Sequence, residues 1–188
     1  MAIWNPWHGC RKVSPGCRNC YVYRRDAEFG KDSSIVTKTS TFDLPLKRDR
    51  RKAYKLQPED GPVYTCMTSD FFIREADEWR PEIWKMVRAR EDLHFVIITK
   101  RIERFMECIP PDWGRGYENV TVCCTCENQE MADRRLPVFL EMPVRHKETI
   151  HEPMLGEIHI EKNLAAGQIE HVTCGGEAGD GARLLDYN

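Results

Sequence analysis

Three cysteines near the start of the chain, Cys10, Cys17 and Cys20, carry the spacing C-x6-C-x2-C. The two residues between Cys17 and Cys20 let the backbone turn back so that both thiolates reach one metal, and Pro15-Gly16 supplies a bend just ahead of them. Cys10 reaches the same centre across a flexible loop. Three chemistries match such a set. An iron-sulfur cluster is normally held by four thiolates, and three leave one iron open to a non-protein ligand, which is a catalytic arrangement. A structural zinc closes a tetrahedral Cys3His site with His8 as the fourth ligand. The third reading is three incidental thiols. Soft thiolates suit both metals, and spacing alone does not choose between them.

The rest of the composition narrows where such a site would sit. The chain has nine cysteines, an odd number that cannot all pair within it. Its opening, MAIWNPWHGC, lacks a basic stretch followed by an apolar segment, so a reducing cytoplasm is expected and disulfides should be rare. Apolar residues make up 41% and charged residues 31% of the 188, a soluble composition for one domain, and runs such as Phe95-Val96-Ile97-Ile98 are too short to span a bilayer. A net charge of -2 gives no general attraction to nucleic acid. Lys47, Arg48, Arg50, Arg51, Lys52 and Lys55 form one dense basic run, read first as a solvated helix face.

The elements that must position the cysteines follow from period and length. From residue 62 onward strands and helices alternate. Residues 62–67 are short, β-branched and aromatic, as in a buried strand. Over 77–91, Pro81 suits a first helical turn, and Ile83, Trp84 and Val87 share one face. Strand 93–98, helix 101–108, strand 119–124 and helix 129–140 continue the pattern, with Pro137 expected to kink or divide the last. A weaker strand at 145–150, a short helix at 160–166 and a strand at 171–174 complete it. Such alternation implies an α/β fold with a parallel sheet and helices outside a curved sheet or barrel.

In such folds function collects at the C-terminal ends of the strands. Here those ends are polar: Ser69-Asp70, Thr99-Lys100, Glu127-Asn128, Glu152 and Gly175-Gly176-Glu177. They are expected to converge on one mouth. Gly175 and Gly176 permit close backbone approach to a ligand, and Glu177 can accept from an ammonium group, although a plain turn accounts for the glycines equally well. Cys123, Cys124 and Cys126 read as buried core thiols, with only Cys124 and Cys126 on one face of a strand. Cys66, Cys108 and Cys174 sit singly in apolar settings and read the same way. No H-x-x-x-H, phosphate-binding loop or Gly-x-Ser-x-Gly elbow occurs.

Trp4-Asn5-Pro6 through Cys10, then Ser14-Pro15-Gly16-Cys17 and Cys20-Tyr21, resemble the opening of a phage- and prophage-associated, largely uncharacterised family with a three-cysteine motif. The resemblance recurs at Met67-Thr68-Ser69-Asp70-Phe71-Phe72, at Thr99-Lys100-Arg101, and at Glu127-Asn128-Gln129 with Ala132-Asp133-Arg134-Arg135. It recurs again at Glu152-Pro153-Met154-Leu155-Gly156 and at Gly175-Gly176-Glu177 with Gly179 to Arg183, and so spans nearly the whole chain. That family is similar in layout to the radical S-adenosylmethionine enzymes. The resemblance implies one domain over residues 1–188, a partial (β/α)6 TIM-like barrel with an N-terminal cysteine loop, and a [4Fe-4S] cluster on Cys10, Cys17 and Cys20. Its open iron would take the amino and carboxylate groups of S-adenosylmethionine. The polar strand ends, read from the sequence pattern and not carried over from those enzymes, are then expected to line the cosubstrate pocket with Tyr21, Ser69, Asp70, Lys100, Glu127, Asn128, Gly175, Gly176 and Glu177.

The same resemblance implies an electron donor such as a flavodoxin or ferredoxin. The phage setting points to nucleotide or nucleic-acid modification, with the basic run as a docking surface. Two features depart from the radical-enzyme pattern and one from the family's. The usual spacing is C-x3-C-x2-C with an aromatic before the last cysteine, whereas here the first gap is six residues and Tyr21 follows Cys20. The Gly-Gly-Glu motif follows the last strand and not the second. Members of the family continue with another helix and strand, so the chain, ending at Asp186-Tyr187-Asn188, reads as shortened or as a more open barrel. The alternative from another class is a zinc-stabilised binding module using His8 and the three cysteines.

Overall fold

The computed structural model describes residues 2–179 and 181–185. Strand β1, Ala2–Trp4, opens the chain and is followed by a two-residue strand β2, Trp7–His8. Helix α1, Tyr21–Glu28, starts directly on the last cysteine of the motif, and β3, Thr37–Lys38, returns to pair antiparallel with β2. The alternating part then runs β4 (Val63–Thr65), α2 (Arg80–Ala89), β5 (Phe95–Thr99), α3 (Phe105–Cys108), β6 (Val120–Thr125), α4 (Gln129–Glu141), β7 (His146–His151), α5 (Glu161–Leu164) and β8 (Ile169–Cys174).

The main sheet has six strands in the order β1-β4-β5-β6-β7-β8, and every neighbouring pair is parallel. The fold is therefore α/β with a parallel sheet. Among the described residues β1 and β8 pair only on their inner sides, so the sheet is open and does not close into a barrel. Rows of register partners carry the alternation across it: Ile98 pairs with Cys123, which pairs with Glu148. Cys123 donates to Glu148 Oε2 at 3.4 Å, while Cys124 on the other face lies 4.0 Å from the Cys126 sulfur.

The helix side of the sheet holds the hydrophobic cluster. Ile83, Trp84 and Val87 of α2 are buried on one face, as their spacing predicts, and Trp84 Nε1 donates to Cys108 O at 2.7 Å. Leu136 and Phe139 bury the face of α4 completely. That packing carries α4 through Pro137 as one helix, so the expected division does not occur. Cys66, Cys108, Cys123, Cys124 and Cys126 are buried, whereas Cys174 is exposed, against expectation, because it lies on the edge strand β8.

The basic run is not a helix face. Lys47 ends a short 3-10 turn, Leu44–Leu46, Arg48 bridges antiparallel to Tyr54, and Lys52 takes a left-handed φ of 66°. The run is a tight, mostly exposed turn, with the Arg48 guanidinium stacked 3.8 Å from the Tyr54 ring centre. No helix among the described residues is long and apolar enough to cross a membrane. The chain end at 186–188, and Asp180 within the last motif, lie outside the described residues.

Candidate functional site

A cavity of about 280 Å³ opens at the C-terminal ends of the parallel strands. Its wall comes from Cys66 to Asp70 after β4, Ile98 to Arg101 at the end of β5, Thr125 of β6, Ile150, Glu152 and Pro153 at the end of β7, and Gly176 to Ala178 after β8. Cys10, Cys17, Cys20 and Tyr21 line the opposite side. Across this cavity the cysteine loop faces four of the five polar strand-end segments; Glu127-Asn128 does not line it.

Local chemistry explains how the loop is held. Gly9 sits at φ 94°, where a Cβ would run into the Ile35 carbonyl, so the turn into Cys10 requires glycine. Its N–H donates to Thr68 O at 3.2 Å, the Ser69 hydroxyl donates to its carbonyl, and Cys10 N–H donates to Ser33 O at 2.7 Å. Pro15–Cys17 forms a single 3-10 turn, with Cys17 N–H donating to Ser14 O at 2.9 Å, and Cys20 then occupies the N-cap of α1. The Tyr21 hydroxyl donates to Met67 O and the Tyr23 hydroxyl to Cys10 O.

Beneath the loop lies Glu127, fully buried at 0% exposure. Its Oε1 accepts from Gly16 N–H at 3.2 Å and its Oε2 from Arg135 Nη1 at 2.7 Å. Burial pushes the Glu127 carboxyl up, but the hydrogen bond from Ser14 and the charges of Arg135 and Lys100 outweigh it and hold the group below the usual carboxylate range. Glu127 therefore anchors the loop from below and does not line the cavity. Asn128 does not line it either: its Oδ1 accepts from Met131 N–H at 2.9 Å as the N-cap of α4. Gly175 backs onto Glu152, whose Cδ lies 3.2 Å from where a Cβ would stand, while Gly176 reaches the cavity.

Asp70 is also buried and its oxygens are taken up by the end of β5. Oδ1 accepts from Thr99 Oγ1 at 2.8 Å and Phe72 N–H at 2.9 Å, and Oδ2 from Lys100 N–H at 2.9 Å, with Arg101 Nη1 at 3.2 Å. Arg101, only 6% exposed, turns from Asp70 toward the Cys10 sulfur, 3.6 Å away. Burial and the nearby Asp70 push the Cys10 thiol up to about 11, against the lowering influence of Arg101.

Glu177 accepts from Asn19 Nδ2 at 2.8 Å, from Arg183 N–H at 2.9 Å and from the Arg183 guanidinium. The bond from Arg183 leads in holding its pKa down at about 2. Its oxygens are thus already engaged. The carboxylate of Glu152, exposed in the cavity wall, has no hydrogen bond or ion pair among the described residues, and Lys100 Nζ stands 3.5 Å from the Glu152 carbonyl.

His8 lies apart from the thiols. Its Nε2 bonds Asp26 Oδ2 at 2.7 Å, a contact shared with Ser33, and it does not line the cavity. Among the described residues no three His, Cys, Asp or Glu side chains stand close enough to hold one metal ion. Cys10, Cys17 and Cys20 nevertheless all line the one cavity, and their soft thiolates are donors that suit either an iron-sulfur cluster or zinc.

One family model, described as Protein of unknown function (DUF5131), matches residues 1–188. The chain belongs to that family. The match covers the cysteine loop, the strand ends and Arg101 together, so all parts of the site lie within the family's span. No curated protein and no solved structure matches the chain.

Three groups that matter at the site carry no individual signal in the sequence. Arg101 stands in a recognisable motif, but nothing local tells which of Lys100 and Arg101 turns inward. Asn19 and Arg183 bind Glu177 across 158 and 6 residues respectively, and only the former reveals that the segment following β8 packs against the cysteine loop.

Proposed function

We propose that this protein is a radical S-adenosylmethionine-type enzyme whose [4Fe-4S] cluster is held by Cys10, Cys17 and Cys20. The observation that carries the reading is that the three thiols share one cavity with the C-terminal ends of five strands of a parallel sheet. Six parallel strands paired in chain order are also what a partial (β/α)6 barrel requires, which supports the TIM-like comparison. When bound, such a cluster supplies the electron that cleaves the sulfonium of S-adenosylmethionine and so yields a 5'-deoxyadenosyl radical.

The chain's own residues then have distinct tasks. Glu127, Ser69 and Gly9 hold the loop in register over the cavity. Lys100 offers a cation to the cosubstrate carboxylate. Glu152 is the acceptor available to its ammonium, because Glu177 is satisfied by Arg183 and Asn19. Tyr21 and Met67 form an apolar wall of the same cavity. Lys12 and Arg18 leave the outer side of the loop positively charged and exposed, Arg11 being paired with Glu75, which suits an acidic one-electron carrier such as a flavodoxin or ferredoxin.

Anaerobic reconstitution with iron and sulfide tests the reading. Brown protein with about four irons per chain is expected, and dithionite plus S-adenosylmethionine should then release 5'-deoxyadenosine. Cys17→Ala should abolish both colour and product. Stoichiometric zinc with no iron would refute the assignment, and a coloured protein that never cleaves the cosubstrate would leave electron transfer as its role.

A further inference from the structure

We propose that Arg101 is a positioning residue that tunes the cluster, donating to the sulfur of Cys10 and so making the cluster easier to reduce. This rests on the cluster assignment above and deepens it. Arg101 is held from several sides. Its backbone N–H donates to Thr99 Oγ1 at 2.9 Å, Nη1 lies 3.2 Å from Asp70 Oδ2, and Nη2 donates to Arg11 O at 2.5 Å. The remaining direction of the planar guanidinium is toward Cys10 Sγ, at 3.6 Å.

The three thiols are not equivalent in this respect. Among the described residues only Cys10 receives a hydrogen bond from a charged side chain, whereas Cys17 meets the neutral Ser14 hydroxyl at 3.8 Å. A cation and an N–H dipole aimed at a ligand sulfur stabilise the added electron, because hydrogen bonds to the sulfurs and local charge set cluster potentials. The arrangement is nearly buried, so water screens it little. Lysine cannot reproduce it, since the guanidinium fork serves Asp70, the Arg11 carbonyl and the sulfur at once.

The test compares reconstituted wild type, Arg101→Lys and Arg101→Gln by spectroelectrochemistry, following the reduced cluster by electron paramagnetic resonance. At the wild-type midpoint, the reduced-to-oxidised ratio of the loaded fraction should fall about tenfold in Arg101→Gln, a shift of about 59 mV for a one-electron couple. Arg101→Lys, which keeps the charge but loses the fork, should fall about threefold. An exchangeable proton coupled to the reduced cluster should be present in wild type and absent in both variants. A purely structural Arg101 would lower the amount of cluster bound and leave the ratio of the loaded fraction unchanged, and that result overturns the proposal. Should Arg101→Gln bind no cluster, an Arg101→Lys protein with wild-type ratio and proton coupling overturns it equally. Absence of any cluster in wild type would instead remove the assignment on which it rests.

Discussion

Replacing Gly16 with alanine should destabilise the protein chiefly through the side chain of Glu127. A Cβ built on Gly16 would meet Glu127 Cγ at 2.9 Å, Cδ at 3.0 Å and Cβ at 3.1 Å. Carbon atoms pack best at about 3.5–4.0 Å, so one of the two segments must give by about 0.6 Å. Glu127 is poorly able to do so, being fully buried and tied to Arg135 at 2.7 Å. Overpacking of this kind costs about 1–3 kcal/mol. With Glu127→Ala the Cγ and Cδ contacts are gone and only the Cβ at 3.1 Å remains, so alanine at 16 should cost less there, by about 1 kcal/mol. Glu127→Ala itself should cost about 3–5 kcal/mol, since it leaves Arg135 buried without its partner. Urea unfolding followed by tryptophan fluorescence measures the four-protein cycle. At a slope of about 2 kcal/mol per molar urea, a 2 kcal/mol change moves the midpoint by about 1 M. A coupling energy below about 0.5 kcal/mol between the two sites would refute the claim that Glu127 is what demands glycine at 16.

Asn128→Ala should cost about 1 kcal/mol of stability through loss of the α4 cap, with no change in cluster loading, as urea titration and iron analysis would show together. Glu177 has its folded pKa at about 2, below its ordinary value of 4.5, so its bonds to Arg183 and Asn19 stabilise the fold above 4.5 and are lost as pH falls toward 2. Glu177→Gln should therefore flatten the pH dependence of stability across that window, and an unchanged slope would contradict the pairing. Trp84→Phe leaves Cys108 O without its donor and a void where the indole packed against Phe71 and Trp113, and should cost about 2–5 kcal/mol in thermal or urea unfolding.

The regular part of the fold was open to reading wherever one physical signal acted alone. The strands β5 and β6 and the helix α2 announce themselves by apolar run or period, and each lies within a few residues of its expected span. β1 did not, because three residues carry no period and the strand exists by pairing with β4 some sixty positions away. α1 was hidden by the cysteine motif, whose last member is its cap. β7 looked weak since its buried positions include Lys147, which is tolerated only by donating to Leu140 O at 2.6 Å and Gln168 Oε1 at 3.0 Å. At the site, the convergence of strand ends on the cysteines follows from parallel topology. The division of labour does not, because whether Glu127 meets a ligand or a backbone N–H depends on Gly16, 111 residues distant.

The bond between Asn19 and Glu177 joins residues 158 positions apart. At a synthesis rate of about 5–20 residues per second, the cysteines leave the ribosome roughly 8–30 seconds before the segment that closes over them has been made. Until then Cys10, Cys17 and Cys20 belong to a nascent strand with no cavity behind it, open to oxidation and to scavenging by whatever metal is abundant. Under the proposed cluster assignment, loading would come after translation of nearly the whole chain, which would make cluster delivery a late step and leave the newborn thiols dependent on their surroundings in the interval.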